Sequence, residues 1–173
     1  TDLINRAQMD SMTNILNKSS IQYQINDWLQ HGEKEGIQAL LMLDLDQFKN
    51  INDTYGHALG DEVIKAAAKV LKDTFRSSDI VGRAGGDEFM VLMKNVRWDK
   101  VIERQLQELC HKFENLKIGS IPCGAIHCSI GAAYYPDHGM NFDELYHYAD
   151  EALYEAKRQG RNTYVIYHQE KKA

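Results

Sequence analysis

The stretch GRAGGDEFMVLM, residues 82–93, constrains this chain more than any other. Apolar runs on either side of adjacent glycines predict an antiparallel hairpin, DIVGRA against EFMVLM, turning on the positive φ that Gly85 and Gly86 tolerate. Asp87 suits a turn. Glu88 is less expected, because it stands where a strand should already be burying side chains. Alone, the motif also describes a solvated hairpin tip, so the flanking sequence has to decide.

That flanking sequence alternates strand-like and helix-like segments. IQALLMLDLD is a short apolar run with little alternation, as in a strand buried on both faces, and it ends on Asp44. Upstream, ILNKSSIQYQINDWLQHG places Ile21, Ile25, Trp28 and Leu29 on one helical face, with Gly32 as the stop. Downstream come a short helical stretch, QFKNIND, a loop, TYGHALGD, and a helix over Glu62–Phe75. After the hairpin, a helix with Val101, Leu106, Leu109 and Phe113 among its apolar positions precedes the strand GAIHCSIGAAYY. A helix closed by Gly160 and a last strand, TYVIYH, complete the chain. The order predicts an α+β fold in which helices pack over a sheet built around the hairpin. The first residues, TDLINRAQ, read as the tail of a connecting helix over 1–9, leaving one domain over 10–173.

Composition narrows the function. The 173 residues suit one domain, and 43% apolar with 26% charged residues is ordinary for a soluble protein. A net charge of −5 gives no footprint for nucleic acid or an anionic membrane, and no apolar run approaches a membrane span. Cys110, Cys123 and Cys128 are odd in number and lack CxxC spacing, which favours reduced thiols and a cytoplasmic setting.

Carboxylates are the chemically suggestive residues. If the strand ending at Asp44 neighbours the hairpin, Asp44 and Asp87 converge at one end of the sheet, where a cation would relieve their repulsion. Oxygen ligands of this kind suit magnesium, which carboxylates and substrate phosphates hold together. DLDQF could instead imitate an aspartyl-phosphate nucleophile loop or a calcium loop. Phe48 breaks the first pattern, and Phe48 with Lys49 breaks the second. Lys49, Lys157 and Arg161 offer cations for phosphates, although the last two also answer the dipole at a helix end.

Five ordered blocks, DSMTNILN, LDLDQFKNINDTYGHALGD, RSSDIVGRAGGDEF, CSIGAAYYP and ADEALYEAKRQGRN, resemble the GGDEF family of diguanylate cyclases from about Asp10 to Asn162. These enzymes condense two GTP molecules into cyclic di-GMP with release of two pyrophosphates. The resemblance implies a palm-like, ferredoxin-type sheet. It also implies that Asp44, the Leu45 carbonyl and Asp87 hold magnesium, with manganese as an alternative. Glu88 would position or activate the ribose 3′-hydroxyl, so Asp87, Glu88 and Asp44 form the catalytic set. Lys49, Lys157 and Arg161 would contact the triphosphate, Asn52 and Asp61 the guanine, while Gly85 and Gly86 admit the nucleotide. RSSD would supply Arg76 and Asp79 to a product-inhibition site for cyclic di-GMP, although it also reads as an i,i+3 surface ion pair. Asn14 and Lys18 depart from the family's glycine and arginine in the opening block, and Ala84 from its larger residue before the glycines.

The implied partners are GTP and a transient second copy of the domain, with no nucleic acid and no membrane contact by this chain. A sensing module of the same fold would usually lose signature acids or phosphate-binding cations, and this chain retains them. A purely structural dimerisation domain leaves the polar set unexplained.

Overall fold

The run predicted to be buried on both faces, Ile37–Leu45, forms β1 at the centre of a five-stranded sheet. In the computed structural model, which describes residues 7–168, the elements around it are α1 (Lys18–His31), α2 (Phe48–Tyr55), α3 (His57–Thr74), β2 (Ile80–Arg83), β3 (Glu88–Val96), α4 (Asp99–Glu114), β4 (Cys128–Tyr135), α5 (Phe142–Arg158) and β5 (Tyr164–Ile166). Residues 1–6, most of the expected connecting helix, and residues 169–173 lie outside the described residues.

The strand order is β2-β3-β1-β4-β5. The first four strands, with helical crossovers after β1 and β3, make the expected ferredoxin-type βαββαβ arrangement. β5 adds an edge strand parallel to β4, so the sheet is not wholly antiparallel. Odd-numbered residues of β1, Ala39, Leu41, Leu43 and Leu45, pack with α3 and α4. Even-numbered Leu40 and Met42 pack with α1 and α5. This three-layer packing explains why β1 lacks polar alternation. Close approach fixes one glycine: a Cβ on Gly131 would lie 2.2 Å from the Ala149 carbonyl oxygen and the Leu153 nitrogen of α5.

Several local expectations change. TYGHALGD is not a loop, because α3 begins at His57 directly after α2. Gly56, at φ 90 and ψ 159, makes the whole bend in one residue, a conformation suited to glycine. In α4 the inward residue is Ile102, whereas Val101 is exposed. Asn14 takes φ 57, the left-handed conformation that asparagine tolerates, so it replaces a glycine there at little cost. Cys110, Cys123 and Cys128 are free thiols. Among the described residues no helix is long and apolar enough to cross a membrane.

Candidate active site

Strand parity builds the carboxylate cluster. Asp44 continues the even-numbered face of β1, and Glu88 that of β3, which carries Met90 and Leu92 toward α1 and α5. The antiparallel register sets Asp44 directly opposite Glu88. Cross-strand neighbours of like charge repel, so the arrangement opposes stability. Asp87 stands one residue before β3, and its carbonyl accepts a hydrogen bond from the Leu45 N–H at 3.1 Å. Asp44, Leu45, Asp87 and Glu88 therefore meet at one end of the sheet, as predicted. The side chain of Leu45 is buried on the other face.

Asp44 is the unusual member. It is 7% exposed, and its Oδ1 is buried without a hydrogen-bond partner. Lys157, which follows the buried stripe of α5, donates from Nζ to Oδ2. Burial pushes the Asp44 carboxyl above its ordinary range; Lys157 opposes the shift, and Glu88 and Asp87 add to it. Lys157 thus sits on a carboxylate rather than standing free for phosphates. Tyr146, four residues before Asp150 on α5, lies in the same field. Burial, Asp150, Glu88 and Asp44 together push its phenol upward. Tyr146 was not anticipated; its spacing of four from Asp150 and eleven from Lys157 on one helix was the available signal.

The hairpin turn is shaped differently from the expectation. Neither Gly85 nor Gly86 lies at positive φ. A four-residue connection, Ala84–Asp87, does not require the left-handed pair that a two-residue hairpin needs. Instead the Arg83 guanidinium donates to the Gly85 carbonyl at 3.0 Å and to the Gly86 carbonyl at 2.8 Å. Its other arm reaches Asp10 at 3.3 Å. Asp10 in turn accepts from the Thr13 N–H and hydroxyl, and these bonds with Arg83 outweigh burial and lower its carboxyl. A Cβ at Gly86 would meet nothing within 4 Å, so the protein itself does not demand a glycine there.

The remaining site residues flank the cluster. Lys49 is exposed in the first turn of α2, whose N-cap residue Gln47, at φ 52, makes no side-chain cap bond. Asn52 lies against α3, where a Cβ on Gly60 would fall 1.8 Å from its Oδ1. Asp61 follows immediately and is exposed. Arg161, at φ 66, lines a cavity of about 390 Å³ together with Gln47 and Asn50. That corner is pinned by Asp46, which accepts from the Ser129 hydroxyl at 2.6 Å and the Asn162 N–H at 2.8 Å. The Asn162 side-chain amide donates to Glu114. These pinning residues were also missed, since nothing in their spacing marks contacts between distant segments.

Arg76 and Asp79 lie elsewhere. Asp79 binds the Lys94 N–H at 2.9 Å, six residues along β3 from Glu88 and so roughly 20 Å away. Its side chain is 2% exposed, accepts from the Arg76 N–H, and pairs with the Arg76 guanidinium at 3.4 Å, so the i,i+3 ion pair is present with only its Arg76 half, 59% exposed, facing solvent.

Comparison with known proteins identifies the family. Residues 7–163 match the family described as diguanylate cyclase, GGDEF domain. The chain is 36% identical over 157 residues to the diguanylate cyclase DosC of Escherichia coli, covering 89% of this chain and 34% of that protein. It is 38% identical over 141 residues to diguanylate cyclase A of Treponema denticola, covering 78% and 36%. The chain thus spans about a third of the length of these relatives. Among solved structures, the GGDEF domain of TpbB (YfiN) from Pseudomonas aeruginosa superposes with a TM-score of 0.85 at 32% identity, covering 92% of this chain and 94% of that one. The coiled coil and GGDEF domain of DgcB from Caulobacter crescentus, in complex with cyclic di-GMP, gives 0.84 at 28%, covering 95% and 88%. A family match over residues 7–163, together with these relatives, shows that the chain belongs to the GGDEF diguanylate cyclase family.

Proposed function

We propose that residues 10–173 are a catalytic domain that condenses two GTP into cyclic di-GMP and two pyrophosphates. The observation that carries this reading is Asp44, a buried carboxylate with an unpartnered oxygen, held beside Asp87 and Glu88. An orphaned hard oxygen among acids fits a divalent cation such as magnesium or manganese. Among the described residues no three His, Cys, Asp or Glu side chains form a group that could hold a metal ion by themselves, so the proposed ion would need substrate phosphates to complete its shell. Asp44, the Leu45 carbonyl and Asp87 would hold it. When bound, it would neutralise charge on the transferring phosphoryl group and acidify the attacking hydroxyl.

The chain's own residues do the rest. Lys49 and Arg161 flank the start of α2 and neutralise the triphosphate; Lys157 joins them when it leaves Asp44. Asn52 and Asp61 read the guanine, whose N1–H and N2–H suit a carboxylate. Glu88 holds the 3′-hydroxyl and accepts its proton as the oxygen attacks the α-phosphorus and pyrophosphate departs. Open space at Gly86 lets the nucleotide reach the turn. Each GTP must present its 3′-hydroxyl to the other's α-phosphorus, so two domains face one another around a two-fold axis. Arg76, with Asp79 fixing its turn, binds product as an inhibitor.

The test is incubation of purified protein with GTP and magnesium, with products resolved by chromatography and mass spectrometry. Cyclic di-GMP and pyrophosphate should accumulate, and Asp87→Asn should abolish both. Tight GTP binding without turnover at any protein concentration would favour a sensing module instead.

A further inference from the structure

Lys157 stands where a triphosphate-binding residue is wanted, yet its ammonium is on Asp44. We infer that Lys157 is the resident counter-ion of the metal site, so that divalent cation and nucleotide must load together. The inference rests on the metal reading above.

Asp44 cannot be left bare. Its side chain is 10% exposed, Glu88 is directly opposite, Asp87 is near, and one of its oxygens already lacks a partner. An unpaired charge in that position is costly, and the Lys157 ammonium is the cation that relieves it. A cation arriving alone must displace Lys157 and leaves it stranded near its own positive charge. Lys157 is 38% exposed and sits at the C-terminal end of α5, so it can swing outward on its flexible stem. A triphosphate gives it somewhere to swing. With the nucleotide present, the ammonium moves from carboxylate to phosphate and the cation takes its place, so each ligand removes the other's penalty. That is positive coupling between two ligands, and it must be reciprocal. One consequence is that free cation does not occupy an idle site.

The experiment uses manganese as the probe, because its binding is read directly by electron paramagnetic resonance without turnover. Wild type, Lys157→Met and the double variant Lys157→Met/Asp44→Asn are titrated with manganese, without nucleotide and with a non-hydrolysable GTP analogue. Methionine keeps most of the apolar stem and removes the charge. Without nucleotide, Lys157→Met should bind manganese at least tenfold more tightly than wild type, and the double variant should lose that gain. With the analogue, wild-type affinity should rise by tenfold or more, while Lys157→Met should show a smaller rise. Equal nucleotide-free affinity in wild type and Lys157→Met, with binding abolished in the double variant, would leave the metal site standing and overturn the counter-ion role. Manganese binding indifferent to Asp44 under every condition would overturn the metal reading and the inference with it. Circular dichroism melts of all three proteins confirm that the comparison is between folded chains.

Discussion

Replacing Gly60 with alanine should damage GTP recognition while sparing the fold. Gly60 is the fourth residue of α3, in ordinary helical conformation, so alanine is acceptable to the backbone and gains about 1 kcal/mol of helix propensity. The new methyl, however, would sit 1.8 Å from Asn52 Oδ1 and 3.0 Å from its Cγ, while Phe48 at 3.4 Å is in ordinary contact. Only Asn52 must move. Forcing it from its rotamer costs about 0.5–1.5 kcal/mol, which nearly cancels the helix gain. The melting temperature should therefore stay within about 4 °C of wild type. With Asn52 reading guanine as proposed, the expected functional loss is one hydrogen bond, about 0.5–1.5 kcal/mol, or roughly a 2- to 12-fold rise in KM for GTP. Steady-state kinetics on wild type, Gly60→Ala, Asn52→Ala and the double variant measure this. Since Gly60 acts only through Asn52, its substitution should be silent once Asn52 is alanine. Equal KM increases from Gly60→Ala in both backgrounds, or a collapse of stability, would refute the reasoning.

Other expectations follow from the same geometry. For Asp44, a folded-state carboxyl raised above its ordinary value near 3.8 means that ionisation opposes folding, and this stability is lost as pH rises through that range and stays lost at pH 7. Asp44→Asn should then melt no lower than wild type at neutral pH while losing cyclic di-GMP synthesis by at least about a hundredfold; a marked fall in melting temperature would contradict this. Asp79→Ala should destabilise the fold by about 1–3 kcal/mol, because the part-buried N–H of Lys94 loses its partner. Arg76→Ala should melt normally yet escape inhibition by added cyclic di-GMP, as progress curves would show. Asp61→Ser should let ATP compete better, since an unpaired carboxylate rejects adenine; unchanged GTP/ATP discrimination removes Asp61 from base recognition. If two facing domains form the product, specific activity should climb with protein concentration, and a flat value over a hundredfold dilution of a monomer would count against that arrangement.

The sheet was legible because β1 announces itself: a run of apolar residues without alternation can only be central, and the signature hairpin supplies its neighbour. The carboxylate cluster followed from that pairing. Less legible were features decided by single residues or by contacts across the chain. Gly56 carries one unusual backbone conformation, and from sequence it looked like the middle of a loop rather than a hinge between abutting helices. The signature glycines suggested a left-handed turn, whereas Arg83 and Asp10, 73 positions apart, hold it instead. Lys157 was recognisable as a cation near the site, but its pairing with Asp44 depends on where α5 crosses β1, which no local pattern encodes.

Asp44 and Asp46 differ in what their surroundings leave free. In the sequence they are two acids flanking one leucine, and only the strand's end and the family resemblance single out Asp44. Asp46 lies just past the end of β1, and its oxygens accept from the Ser129 hydroxyl and the Asn162 N–H, so its charge is spent on joining three segments. Asp44 remains within the strand, on the face shared with Glu88, and one of its oxygens accepts nothing. A second acid opposite a buried first one costs repulsion, which the proposed cation on Asp44 and Asp87 would relieve. The protein tolerates the arrangement because Lys157 supplies a positive charge, which the proposed counter-ion role makes temporary. Substituting Asp46 should therefore loosen the Arg161 corner and lower stability, whereas substituting Asp44 should relieve the fold and remove the chemistry.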